Sequence, residues 1–147
     1  MQKTYMQKTA EVTRNWHLVD AADKILGVVA TEIAVKLMGK DKKEYTPHIE
    51  SGDYVVVLNA TKVAVTGKKR DNKMYYRHSN FPGGLKQISF AELLEKKPED
   101  VILLAVKNML PKNKLRDVRL ARLKIYAGEE HTHQSQFGKP AEAGTSK

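Results

Sequence analysis

The sequence predicts a single layered α/β domain. A short apolar strand, Trp16 to Asp20, precedes a helical stripe that is followed by a continuously β-branched strand, Tyr54 to Leu58, and further helical stripes come after it. Strands interspersed with amphipathic helices give a sheet covered on both sides by helices. At 147 residues the chain is of one-domain length and can bury roughly 70% of the surface that its unfolded form exposes.

Residues 1–13 carry no sustained period and are expected to form a flexible tail; the near-duplicates Met1-Gln2-Lys3-Thr4 and Met6-Gln7-Lys8-Thr9 are too short to be a structural repeat. After the first strand, Leu26, Val29, Ala30, Ile33, Ala34 and Leu37 share one helical face, and Gly39 closes that helix. Lys40, Lys42 and Lys43 follow, suited to the negative helix end and also able to face a polyanion. Tyr54 to Leu58, bounded by Ser51-Gly52-Asp53 and Asn59, reads as a central strand buried on both faces. Lys62 to Thr66 alternates polar and apolar, Gly67 turns the chain, and Lys68 to Asn72 is too charged for a core and should protrude. Ser89 with Glu92 makes a capping box before a short helix, and Pro98-Glu99-Asp100 opens the next. That helix carries Val101, Ile102, Ala105, Val106 and Met109 and ends before Pro111. From Lys112 a helix is expected to about Ala121, then a strand in which Ala121, Leu123 and Ile125 alternate with Arg122 and Lys124. From Gly138 onward there is no apolar face to bury, so residues 138–147 are expected to be a second flexible tail.

Charge is concentrated rather than spread. The net charge is +9, yet residues 62–86 alone hold seven Lys and Arg against Asp71, and residues 107–124 hold seven against Asp117, so the rest of the chain is slightly acidic. Two basic segments on such a background point to a polyanionic partner more than to solubility. The absence of cysteine excludes disulfides and thiolate metal sites, and a cytosolic compartment is the simplest reading. The N-terminus lacks the apolar core of a secretory signal and no run approaches the roughly 20 apolar residues of a membrane span, so the chain reads as soluble.

Lys68, Lys69, Arg70, Lys73, Arg77 and Lys86 are interleaved with Tyr75, Tyr76, His78 and Phe81, and Pro82-Gly83-Gly84 precedes Lys86. Cations meet phosphates, rings stack on unpaired bases, and Gly83 and Gly84 let the backbone approach closely: a combination suited to RNA. In an extended segment at least one of Tyr75 and Tyr76 faces the core, and Phe81 either packs under the loop or joins the binding face. The second constellation sets Lys112, Arg116 and Arg119 on one helical face for RNA, with Leu115 and Val118 packing on another. Lys114, Arg122 and Lys124 belong to the same basic segment.

Enzyme signatures are weak. Thr66-Gly67-Lys68-Lys69 lacks the first glycine of a P-loop and a hydroxyl after its lysine. His131 and His133 have no third ligand at a telling spacing, and no arrangement of nucleophile, base and orienting group stands out, so neither catalysis, a metal nor a cofactor is expected.

Several collinear segments across about residues 14–137 resemble the bacterial large-subunit ribosomal protein L13 family: Trp16-His17-Leu18-Val19-Asp20-Ala21, Tyr45-Thr46-Pro47-His48, Gly52-Asp53, Asn59-Ala60, Val65-Thr66-Gly67, His78-Ser79 with Pro82-Gly83-Gly84, Met109-Leu110-Pro111-Lys112, and Tyr126-Ala127-Gly128 with His131. The resemblance implies residues 14–137 as one three-layer α/β/α domain, with a central, mainly parallel sheet of about four strands and basic loop extensions. It also implies direct binding to large-subunit (23S) ribosomal RNA, neighbouring large-subunit ribosomal proteins as partners, early subunit assembly, a place in the cytoplasmic ribosome, and no enzymatic activity, membrane or small-molecule substrate. An RNA-binding regulator acting on an mRNA leader is the alternative. His131 joins the candidate RNA contacts, with Lys40 and the two basic segments. The sequence departs from the family pattern at Val28, where arginine commonly follows Leu-Gly, at Arg116, where glycine usually follows leucine, at Asn80 for glycine and at Thr132 for proline. One basic contact is thereby lost and another gained, while asparagine still accepts left-handed geometry.

Overall fold

The computed structural model describes residues 5–137; the first four residues and residues 138–147, read above as parts of the two tails, lie outside the described residues. Three parallel strands form the main sheet: β1 (Trp16–Asp20), β2 (Tyr54–Leu58) and β5 (Leu123–Ile125), with β2 in the middle. Register runs Trp16 to Tyr54 and Val19 to Val57 on one side of β2, and Val55 to Leu123 on the other. Val55, Val56 and Val57 are fully buried, as a strand covered on both faces demands. Val55 and Val57 enter the main core beside Val19 and Leu123. Val56 points the other way, toward the face where the Trp16 and Tyr54 rings stack at 4.4 Å and 8°. There the short α6 (Gln134–Phe137) sets Phe137 edge-on to Trp16 at 6.3 Å.

The segment from Lys62 to Thr66, which alternates polar and apolar, contributes only an isolated parallel bridge between Ile25 and Ala64. Its Val63 and Val65 bury their side chains against the core without a neighbouring ladder, which satisfies the same alternation by packing alone. Among the described residues the sheet therefore has three strands rather than the about four that the resemblance implies.

Helix α1 (Leu26–Met38) buries the predicted stripe, and Gly39, at φ +75°, ends it with its N–H on the carbonyls of Val35 and Lys36. Ser89 Oγ accepts from the Glu92 N–H at 3.3 Å and starts α3 (Phe90–Lys96). Pro98 opens α4 (Pro98–Met109), which lays Val101, Ile102 and Val106 into the core with α1. Helix α5 (Leu115–Ala121) starts three residues later than the expected Lys112, because Asn113 Oδ1 accepts from the Leu115 N–H at 3.1 Å and takes up a free donor at the helix end.

A second, two-stranded antiparallel sheet, not anticipated as a pair, follows the short α2 (Lys69–Asn72): β3 (Met74–His78) against β4 (Leu85–Ser89). Tyr75 and Ile88 face each other in register and pack against the core. Residues 5–13 run without strand or α-helix, apart from one 3-10 turn at Thr9–Glu11. They are held by the Gln7 N–H on Thr46 Oγ1 at 3.3 Å and by Lys42 Nζ on the Thr13 carbonyl at 2.8 Å.

Candidate functional site

The chain between Met38 and β2 is threaded so tightly that a Cβ on Gly52 would stand 1.8 Å from the Leu37 carbonyl oxygen. That close passage positions two carboxylates beneath the surface. Asp53, 1% exposed, accepts from Lys42 Nζ, from the Asn15 N–H at 3.0 Å and pairs with His17 Nε2 at 2.9 Å. Burial pushes its carboxyl up, but the hydrogen bonds from Lys42, Asn15 and His17 outweigh burial and hold it below the usual carboxylate range. Glu50 accepts from Arg119 Nε at 2.8 Å and from Arg122 Nη2.

This last cluster corrects the sequence reading. Arg119 and Arg122, expected on an RNA-facing surface, are 2% and 6% exposed and point inward. Val118, expected to pack, is 50% exposed instead. The periodicity is helical as predicted and Leu115 is half-buried as expected, but the buried face is turned toward Arg119, because Glu50 offers both guanidiniums a buried counter-charge that an apolar neighbour could not. Arg116 is half-buried in the same helix, while Lys112 and Lys114 lie exposed before it.

The first basic segment does stand in solvent. Lys68, Lys69 and Arg70 are exposed on and before α2, and Arg77, His78 and Lys86 are exposed on the β3-β4 hairpin. Of these and Lys73, none has a carboxylate within 4.0 Å among the described residues. The two tyrosines divide their roles. Tyr75 packs inward, with Lys73 Nζ 5.1 Å from its ring centroid and its hydroxyl buried without a partner in the described residues, and burial pushes its phenol up. Tyr76 is 64% exposed on the opposite face of the strand. The hairpin tip presents Phe81, 73% exposed. Asn80 and Gly83 take φ +65° and +71° to make the turn, the Asn80 N–H donating to His78 Nδ1 at 2.9 Å. Gly84 is held because a Cβ would fall 2.0 Å from Ser79 Oγ.

The end of α4 joins this surface. Asn108 and Met109 share a cavity of about 300 Å³ with Lys69 and Lys73, and Lys107, at the start of the second basic segment and not among the candidate contacts, shares a cleft of about 620 Å³ with Arg77 and Lys86. Other candidates lie elsewhere. Lys40 is exposed beyond the C-terminal end of α1, about 20 Å along that helix from the cavity at Leu26 and Lys69. Lys124 is half-buried on β5, in register with Val56. His131 is half-buried in an aromatic cluster, 5.6 Å from Phe137 and 6.1 Å from Tyr126. Among the described residues no helix is long and apolar enough to cross a membrane, and no three His, Cys, Asp or Glu side chains gather as a metal site.

Comparison with known proteins gives a consistent set of relatives. The family described as ribosomal protein L13 matches residues 14–132. The chain is 58% identical over 134 residues to the large ribosomal subunit protein uL13 of Aliivibrio fischeri (strain MJ11), covering 91% of this chain and 94% of that one. It is 56% identical over 142 residues to the protein of the same name from Thermotoga maritima, covering 97% and 95% of the two chains. The same identity and length hold against the Natranaerobius thermophilus protein of that name, covering 97% and 99%.

Proposed function

The chain belongs to the ribosomal protein L13 family, and on that premise we propose that it is a structural, non-catalytic constituent of the large ribosomal subunit in the cytoplasm, which binds large-subunit ribosomal RNA directly and supports early assembly. The observation that carries the RNA contact is the α2 and β3-β4 surface, where six cations from Lys68 to Lys86 stand, among the described residues, without carboxylate partners within 4.0 Å beside the exposed rings of Tyr76 and Phe81. Uncompensated cations on a hairpin neutralise phosphates and release counterions, which supplies affinity without sequence preference. Exposed rings add stacking on unpaired bases, the usual route to recognition of RNA loops. The folded unit of residues 14–137 holds this surface on a packed core, so little ordering is needed when strands converge on it.

Co-sedimentation of the tagged chain with ribosomal particles from its own cells, through a gradient containing high salt, tests the reading. Stoichiometric recovery in the large subunit is expected. Recovery only in soluble fractions would overturn it.

A further inference from the structure

The cleft between the hairpin and α4 has the makings of a single-nucleotide site. Its volume, about 620 Å³, falls in the range of small-molecule pockets. On the α4 side, Asp100, Leu103, Leu104 and Lys107 sit at i, i+3, i+4 and i+7, one helical stripe turned to the cleft. On the hairpin side, Tyr75 and Ile88 are opposite each other, and the next pair on the same face is Arg77 with Lys86. Two like charges directly opposite in a ladder destabilise the hairpin on their own. Among the described residues neither they nor Lys107 has a carboxylate within 4.0 Å, and Asp100 has no Lys, Arg or His partner. Apolar walls, three unbalanced cations and one unpaired, half-buried carboxylate thus share one concave space.

Resting on the reading that this surface binds ribosomal RNA, we infer that the cleft receives one unstacked nucleotide of the bound strand, its base against Ile88, Leu103 and Leu104, its donor edge on Asp100 and its phosphates on Arg77, Lys86 and Lys107. Seven helical steps take Asp100 to Lys107, about 10 Å along the axis, so the carboxylate is held back from phosphates that it would repel. A carboxylate binds best to two parallel N–H donors. Guanine presents such a pair at N1 and N2, whereas adenine and cytosine set a single amine beside an acceptor and uracil flanks its one N–H with two carbonyls. The cleft therefore favours guanosine.

The test is a magnetic resonance titration of the full chain with GMP, AMP, CMP and UMP, run beside filter binding to large-subunit ribosomal RNA. GMP should shift the amides of Tyr75 to Arg77 and Leu103 to Lys107, with a preference over UMP of about tenfold. Asp100→Asn should erase that preference and weaken RNA binding by about tenfold, and Lys107→Glu should abolish the GMP shifts, with circular dichroism confirming both folds. Wild-type RNA binding that survives Asp100→Asn undiminished, with no shifts at the cleft, would overturn the nucleotide site and leave the broader reading intact. A wild-type chain that fails to bind the RNA at all would overturn the reading itself.

Discussion

Arg119 Nε donates to Glu50 Oε1 at 2.8 Å across 69 positions of sequence, with the arginine 2% exposed. Glu50 also takes Arg122 Nη2 on its other oxygen, so one carboxylate bridges two buried guanidiniums. Glu50→Ala should therefore lower stability by about 3–5 kcal/mol, the usual consequence of leaving a buried charge unpaired. Urea denaturation checks it, and a loss below about 1 kcal/mol would mean that the cluster behaves as a solvated surface pair.

Gly52 is fixed by sterics rather than by turn geometry, because its missing Cβ is where the Leu37 carbonyl passes. Backbone cannot swing aside as a side chain does, so Gly52→Ala should cost about 3 kcal/mol or more. Gly67→Ala makes the contrast: nothing lies within 4 Å of its Cβ position, and only its φ of +60° is strained, so it should cost about 1 kcal/mol. Thermal unfolding of the two variants should rank them in that order.

Acid sensitivity should trace in part to Asp53. Its folded carboxyl titrates below the ordinary 3.8, so between those two values the unfolded chain carries more protons and stability rises with pH. The contribution is whole above the ordinary carboxylate range and is lost as pH falls through the lower, folded value. In Asp53→Asn the acid limb should flatten, and the stability gap to wild type should narrow from pH 6 down to pH 3. An unchanged gap across that range would contradict the assignment.

Salt dependence reports the number of phosphates neutralised. With about 8 contacts, log affinity for large-subunit ribosomal RNA should fall against log salt with a slope near −6. Lys69→Ala or Arg70→Ala should each shallow the slope by about 1. Arg119→Met should leave it unchanged, since that guanidinium faces Glu50 and not solvent. A slope near −1 for the wild type would remove the phosphate-binding surface from consideration.

The exposed rings of Tyr76 and Phe81 touch little that holds the fold. Each alanine variant should unfold within about 0.5 kcal/mol of wild type yet lose about 1–3 kcal/mol of RNA affinity if a base stacks there. Tyr75→Ala should behave the opposite way and chiefly destabilise, because Tyr75 packs against the core. Paired denaturation and binding measurements separate the two patterns.

Elements whose evidence is local were legible in the chain itself. The stripe of α1 with Gly39 behind it, the three valines of β2, Ser89 ahead of Glu92 and Pro98 at the head of α4 each state a period or a cap within a dozen residues, and each formed as read. The collinear motifs from Trp16 to His131 likewise carried the family. The exposed position of the basic run from Lys68 to Arg70 followed from charge alone, since unpaired cations stay in water.

What the sequence determined, then, was everything set by the order of neighbouring residues: the type of most elements, the central place of β2, the one-domain α/β class and the location of the first basic segment. Only the tertiary structure decided the rest. It turned Arg119 and Arg122 inward because Glu50, far away in sequence, supplies their counter-charge. It also chose Tyr75 for the core and Tyr76 for solvent, paired β3 with β4, and brought Lys107 across from Arg77 and Lys86. Periodicity fixes which residues share a face, but which way that face turns depends on the partner it meets, and such partners are joined by packing rather than by proximity along the chain.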